Sequence, residues 1–412
     1  MKRRVVVTGM GLVSPVGLTV EESFNNMILG KNGVDKISLF DVTDSRVKIA
    51  GAVKNLNFED FMTKKEIKRS DRVTNLALVA AHEAYQQAKL KDINIDPFRF
   101  ATYIGSGIGG LTTIYKESKT AAIRGQSRIS PFFIPNSIIN MVGAKIGIKY
   151  GAKGGNLPSV TACSAATNAM GEAFRAIRDG YIDIALTGGA EAPINELGVG
   201  GFSSLKALDF SNDPNKASRP FDKTRSGFVI AEGAGIFVFE TYEHAKKRGA
   251  KILAEVVGYG TTSDAFHMTA PDENAEGITR CILNALDDAK ISKKDIGYIN
   301  AHGTSTILND KLETLGFKKA FKDDIKNILV SSTKSMTGHA LGAAGAIESV
   351  AVIKALETSK VPPTIHLNET DVDCDLNYVA NTYQTKDMTY AMNINIGFGG
   401  QNAALIFKKG EF

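Results

Sequence analysis

The sequence predicts an α/β protein with mostly parallel sheets, in which two halves of the chain repeat one architecture. Three observations predict it. Strand-like and helix-like runs alternate through most of the 412 residues. The strands end in glycines, of which there are 40 beside no tryptophan, a usage suited to close backbone approach and sharp strand-to-helix turns. One design occurs once in each half, as "VTACSAATNAMGEAFRAI" and as "VSSTKSMTGHALGAAGAIESV". Each is a short β-branched run, a polar reactive residue, a small-residue helix start and an amphipathic helix. The halves are read as residues 1–250 and 251–412.

In chain order, "RRVVVTG" (3–9) is a buried strand. "TVEESFNNMILG" follows, with Thr19 and Glu22 at capping-box spacing and Gly30 as its stop. The run 71–90 puts Val73, Leu76, Val79, Ala80 and Ala84 on one helical face. Residues 100–110 form a strand running into glycines, and 182–192 repeat that form. Residues 228–240 suit a broken or bulged strand, and 251–260, 296–306 and 327–356 give further strand-turn-helix units. Residues 106–145 and 194–227 are insertions punctuated by Pro and Asn.

With 43% apolar and 23% charged residues, the chain can bury a large core. A net charge of +5 is too mild to indicate a nucleic-acid partner. Cys163, Cys281 and Cys374 are too few and too scattered for a disulfide framework or a zinc site. No apolar stretch approaches the roughly 18 residues of a membrane span. The N-terminal apolar run is short and reads as a strand, not a secretory signal. A cytoplasmic location is expected. One charge feature is local: "TKKEIKRSDR" clusters Lys64, Lys65, Lys68, Arg69 and Arg72, as a solvated helix face or a dock for an acidic partner.

Cys163 stands where a strand gives way to a helix, among Ala, Ser and Thr. From it, Ala166, Thr167, Met170, Phe174 and Ile177 fall on one face. A helix start offers unpaired N–H groups and a positive dipole end, which favour thiolate over thiol. A nucleophile or a buried structural cysteine both fit that placement. His302 in "NAHGTST" and His339 in "TKSMTGHALG" sit at strand-end turns, the usual address of sites in α/β proteins. The other four histidines, His82, His244, His267 and His366, lack that context.

The segments "TACSAATNAMGEAF", "ASRPFDKTRSGFVIAEGAG", "INAHGTSTILNDKLET", "SSTKSMTGHALGAAGA" and "GFGGQNAALIFKK" follow one another along nearly the whole chain. Together they resemble the condensing enzymes of the 3-oxoacyl-[acyl-carrier-protein] synthase II family. The resemblance implies a thiolase-like fold, a five-layered αβαβα arrangement of two similar halves, usually as a homodimer. It implies a decarboxylative Claisen condensation of an acyl thioester held on Cys163 with malonyl-acyl carrier protein, giving 3-oxoacyl-acyl carrier protein and CO2. His302 and His339 would serve the malonyl unit, and the backbone N–H groups of Cys163 and Phe398 the tetrahedral oxyanion. Lys334 and Glu348 would be a buried charged pair around the histidines.

The same resemblance makes Thr304 and Thr306 the hydroxyls that hold a phosphopantetheine arm. It makes residues 397–400, with Phe398, a gate beside the cysteine, and residues 264–271 its second loop. Ile108, Phe133, Ile134 and Ile138 would line an acyl pocket, some of them across the dimer interface. The acidic acyl carrier protein would dock on Lys64, Lys65, Lys68, Arg69, Arg128 and Lys206. The arm comes with that partner, so no cofactor is implied.

Two departures mark this chain. "AMNINIGFGG" carries Ile394 where the family has asparagine, with Asn395 and Ile396 altering the gate's surroundings, and no metal is expected. Ile307 and Leu308 replace the Pro and small residue of many relatives. A second reading is the catalytic ketosynthase chain of a type II polyketide or polyene synthase, paired with a homologue resembling a chain-length factor. A thiolase is disfavoured, because Cys281 and Cys374 lie in no motif for a second cysteine base. "GSGIGG" lacks the spacing and the acidic residue of a dinucleotide fingerprint.

Overall fold

The computed structural model describes residues 2–410. Nine strands form one mixed sheet: β1 (Val5–Val13), β2 (Phe100–Gly105), β3 (Ile184–Glu191), β4 (Gly233–Thr241), β5 (Ala254–Ser263), β6 (Ile296–Asn300), β7 (Leu329–Ser331), β8 (Tyr390–Gly397) and β9 (Gln401–Lys409). Six helices pack on it: α1 (Arg72–Gln87), α2 (Asn140–Tyr150), α3 (Ala165–Arg178), α4 (Glu276–Ala289), α5 (Ile307–Phe321) and α6 (Ala344–Thr358).

The strand order β2-β3-β4-β1-β5-β9-β8-β6-β7 contains an internal dyad. From the centre outward, β1 pairs antiparallel with β4, and β4 antiparallel with β3. β5 does the same with β9, and β9 with β8. The next pairings, β3 with β2 and β8 with β6, are parallel. The outermost place is held by β7 in one half and by residues 156–159 in the other, which bridge Thr102 and Gly105 in parallel. The halves join where Val5–Val7 pair with Ala254–Val256. The repeated architecture is therefore real. The expectation of mostly parallel sheets is corrected, since the pairings nearest the centre of each half are antiparallel. Only three residues, Phe398–Gly400, separate β8 from β9, and so short a link permits antiparallel pairing alone.

Three apolar clusters separate five layers. Residues of α1 and α2 pack with Val13, Phe100, Leu186 and Ile236 on one outer face. Residues of α4 and α5 pack with Ile299, Ile394 and Ile406 on the other. The central cluster joins α3 and α6 to both halves of the sheet. This is the αβαβα arrangement. Two of the outer helices, α1 and α4, are each admitted by a glycine on the strand beneath it. A Cβ on Gly11 would lie 1.9 Å from the Ala80 carbonyl oxygen, and one on Gly260 would lie 2.1 Å from that of Cys281. The dyad thus repeats the packing device as well as the topology.

Local signals behave as their chemistry requires. The predicted stripe of α1 is buried along Val73, Leu76, Val79, Ala80 and Ala84. Thr19 caps Val20–Ile28, but Glu22 reaches one residue further back than a capping box, to the Leu18 N–H at 2.8 Å. Thr63 and Glu66 do form the reciprocal box on helix Lys64–Lys68. Among the described residues, no helix is long and apolar enough to cross a membrane.

Candidate active site

Cys163 lies on a 3-10 turn, Ala162–Ser164, just ahead of α3. Ala162 is left-handed, with φ 49°, which turns the chain sharply from residues 156–159 into the helix. Cys163 is 8% exposed, and its sulfur receives the Phe398 N–H. Burial pushes the thiol up to about 12. The Lys334 ammonium and the Phe398 N–H pull the other way, but desolvation is the larger effect. The expectation that the helix start yields a resting thiolate is thereby corrected, because the sulfur is almost dry.

His302 follows β6, and Glu313 on α5 fixes its turn by accepting the His302 N–H at 2.6 Å and the Gly303 N–H at 2.8 Å. Asp310, one turn earlier on α5, accepts the N–H of Thr304 at 3.1 Å and of Phe221 at 2.9 Å, and lies 3.5 Å from Arg225. His339 follows helix Lys334–Thr337 and exchanges backbone hydrogen bonds with residues 229–231. The two rings stand edge to face, 5.3 Å between centroids at 85°. Phe228 packs edge-on against His339 at 5.1 Å. The ligating atoms of Cys163, His302 and His339 all lie within 4.8 Å of one another. Burial and the Lys334 charge hold both histidines well below their ordinary range, so both are neutral at pH 7.

Lys334 is 1% exposed and pairs with Glu348, 2% exposed. Its ammonium also donates to the His302 carbonyl at 2.5 Å and lies 3.3 Å from His302 Nδ1. The trio opens into a cavity of about 430 Å³, whose walls include Thr304, Thr306, Lys206 and Phe398. The Oγ1 atoms of the two threonines are 3.0 Å apart. Phe398 is 36% exposed, and the Gly399 N–H donates to Met268 at 2.7 Å, which ties residues 397–400 to the loop at 264–271. Ile307 and Leu308 lie at the cavity wall.

The structure does not bring every expected residue to this cavity. Ile108 packs in the same apolar cluster as Cys163, outside the cavity lining. Phe133 is half-buried, Ile134 and Ile138 are exposed, and none of the three lines the cavity. Lys64, Lys65, Lys68, Arg69 and Arg128 are exposed, and of the six basic residues Lys206 alone lines the cavity. Arg69 sits 4.9 Å above the Phe132 ring, next to Phe133 in the chain.

Four supporting residues carry little signal in the sequence. Asp310 and Glu313 carried a signal, two acids one turn apart just after "HGTST". Glu191 carried a weaker one, an acid ending the apolar run "IALTGGAE". Asn395 stood out only as a departure.

A five-layered pair of similar halves, with one thiol and two imidazoles converging between them, defines a thiolase-like condensing enzyme. The chain matches the beta-ketoacyl synthase N-terminal domain over residues 2–245 and the C-terminal domain over residues 253–368. It is 48% identical over 410 residues to 3-oxoacyl-[acyl-carrier-protein] synthase 2 of Staphylococcus aureus (strain COL), covering 99% of each chain. Two solved structures align over all of both chains. One is the ishigamide ketosynthase/chain length factor, 34% identical with a TM-score of 0.93. The other is a type II PKS acyl-carrier protein in complex with its ketosynthase, 35% identical with a TM-score of 0.89. The chain belongs to the beta-ketoacyl synthase family.

Proposed function

We propose that the protein condenses an acyl group held on Cys163 with malonyl-acyl carrier protein, releasing CO2 and 3-oxoacyl-acyl carrier protein, as in fatty acid elongation. The observation that carries this is the convergence of Cys163, His302 and His339, donor atoms within 4.8 Å, on one cavity. The relative named 3-oxoacyl-[acyl-carrier-protein] synthase 2 supports the fatty acid pathway over a polyketide one, at 48% identity against 35% for the type II PKS ketosynthase.

In the first step the Cys163 sulfur attacks the carrier's thioester, and its proton leaves with the pantetheine thiol. Thioester exchange is nearly thermoneutral, so a thiol suits it better than a hydroxyl. In the second, the malonyl Cα–carboxylate bond breaks, CO2 departs, and the electron pair passes to the thioester enolate. Two neutral imidazoles each donate one N–H to that enolate oxygen, where a carboxylate would repel it. The Cα then bonds to the acyl carbon, and the oxyanion takes the N–H groups of Cys163 and Phe398. Collapse expels the Cys163 sulfur, which takes a proton from solvent.

The partner in this reading is an acyl carrier protein, and the solved carrier–ketosynthase complex supports it. Its phosphopantetheine would enter along Thr304 and Thr306, and its acidic surface would meet Lys64, Lys65, Lys68, Arg69, Arg128 and Lys206. No separate cofactor takes part. The acyl chain would extend past Ile108 toward Phe133, Ile134 and Ile138. A second copy would complete that pocket: Ile134 is 59% exposed, and Leu157 and Val160, in and beside the short edge 156–159, are 56% and 54% exposed. An uncovered apolar edge of this kind calls for a partner.

The test is mass spectrometry of carrier-bound products after incubation with malonyl carrier and a series of acyl carriers. The expected product is the 3-oxoacyl carrier, two carbons longer than the primer. Turnover at the wild-type rate by Cys163→Ala would overturn the reading.

A further inference from the structure

Along β8 the side chains alternate. Met392, Ile394 and Ile396 enter the outer apolar cluster, while Asn393 and Asn395 turn toward the central helices. Asn395 is wholly buried. Its Oδ1 accepts the Thr167 hydroxyl of α3 at 2.5 Å and the Asn393 amide at 3.0 Å. Its Nδ2 donates to Glu348 Oε2 of α6 at 2.7 Å and faces His302 Nδ1 at 3.5 Å. An ionised carboxylate can only accept, so the amide nitrogen must face Glu348, and the amide has one orientation. Asn395 therefore ties α3 to α6 where Gly345 packs against Thr167. A Cβ on Gly345 would lie 2.0 Å from Thr167 Oγ1 and 2.6 Å from Asn395 Oδ1.

Around His302 Nδ1 stand two donors, the Lys334 ammonium and the Asn395 amide. A ring nitrogen facing two donors keeps its lone pair, so the proton of the neutral ring sits on Nε2. We propose that Asn395 is a positioning residue: it aligns Glu348 and Lys334, and with Lys334 it holds His302 in the tautomer whose Nε2–H serves the enolate. This rests on the condensation reading for what Nε2–H does, but the tautomer itself does not depend on it. A carboxylate here would reverse the logic, since it would accept an Nδ1–H and leave Nε2 bare.

The experiment compares wild type, Asn395→Asp and Asn395→Ser in two half-reactions: acyl-Cys163 formation from acyl carrier, and malonyl carrier decarboxylation with condensation. Asn395→Asp is expected to lower the second about 100-fold, the range for loss of one preorganised donor. Acylation should stay within about threefold, and the lost condensation should recover toward acid pH, where protonation of His302 returns a hydrogen to Nε2. Asn395→Ser keeps a donor for Glu348 and should retain most of the second step. Equal losses in both half-reactions, or no loss, would overturn the proposal. Should the variants fail to fold, 15N spectra of histidine-labelled wild type decide it. An unprotonated Nδ1 on His302 is expected, and a protonated one refutes it. Wild-type enzyme that makes no 3-oxoacyl product would instead refute the condensation reading and leave the tautomer measurement standing.

Discussion

Gly342 occupies in the second half the position that Cys163 occupies in the first. Each is the middle residue of a 3-10 turn, Leu341–Ala343 and Ala162–Ser164, that opens a central helix. Each turn begins on a left-handed residue, Leu341 at φ 43° and Ala162 at φ 49°. The difference lies in what faces the N–H groups. Cys163 lines the cavity. At Gly342 the N–H groups face the buried Glu191 carboxylate, which accepts from Gly342 at 3.0 Å, Gly107 at 2.6 Å, Ile108 at 3.2 Å and the Ser106 hydroxyl at 3.0 Å. One half thus keeps an anion of its own where the other leaves room for one to form.

Glu191→Ala should accordingly destabilise the fold by about 2–4 kcal/mol, because several buried donors lose their acceptor together. Urea unfolding measures this. The same change frees the backbone of Ile108, so the acyl-chain preference of Cys163 acylation should broaden. A variant as stable as wild type would show that the donors find water instead.

Cys163→Gln replaces the nucleophile with a group that resembles an acyl thioester. Condensation should vanish. Malonyl carrier decarboxylation should persist or rise, because the N–H donors of the two histidines are untouched and the amide fills the acyl position. Release of CO2 from labelled malonyl carrier checks it. Loss of decarboxylation along with condensation would mean that the sulfur itself takes part in breaking the malonyl C–C bond.

Much of this site was legible in the sequence, for a physical reason. Cys163 and His302 each follow a short apolar run and precede small residues, so the local chain alone puts them at strand-end turns, whereas a helical turn, Lys334–Thr337, stands between β7 and His339. The stripe of α1 and the Thr19 cap are equally local. The support of the site is not. Glu191 meets donors 83 to 151 residues away, and Asn395 meets Thr167 across 228 residues. No periodicity reveals such partners. The burial of Cys163 is likewise tertiary, and it reverses what the helix start alone suggests. The antiparallel pairings are not legible in the same way, because alternation of strands and helices suggests crossovers, whereas β8 and β9 are joined directly.

The buried thiol has a pH signature. Ionisation near 12 leaves about one thiolate in ten thousand at pH 8, against a quarter or so for an ordinary cysteine. Burial disfavours the charged form, so Cys163 stays protonated until well above the usual thiol range. Its alkylation by iodoacetamide in the resting enzyme should therefore climb about tenfold per pH unit from 7 to 9, with no plateau. Peptide mapping separates Cys163 from Cys281 and Cys374. A plateau near pH 8 would show that the gate at Phe398 opens enough in solution to wet and ionise the sulfur.

Carrier docking should be electrostatic, and its salt dependence follows from where the charges lie. Lys64, Lys65, Lys68 and Arg69 are exposed on a helix whose capping box and contacts hold it in place. Lys145 donates to the Arg69 carbonyl and to Ser70, and Lys149 to the Phe61 carbonyl at 3.0 Å. Reversing Lys64, Lys65 and Lys68 to Glu should leave this scaffold intact, since the contact it removes is an exposed ion pair, Lys64 to Glu59 at 3.5 Å. The loss should appear as a raised KM for the acyl carrier, about tenfold or more at low ionic strength, with kcat nearly unchanged. Raising salt toward 1 M shrinks the screening length to about 3 Å and should bring wild type and variant together. Convergence separates a charge effect from a damaged fold, which added salt would not repair. An unchanged KM at low salt would remove this helix from the docking surface and leave Lys206, at the cavity wall, as the basic contact to test next.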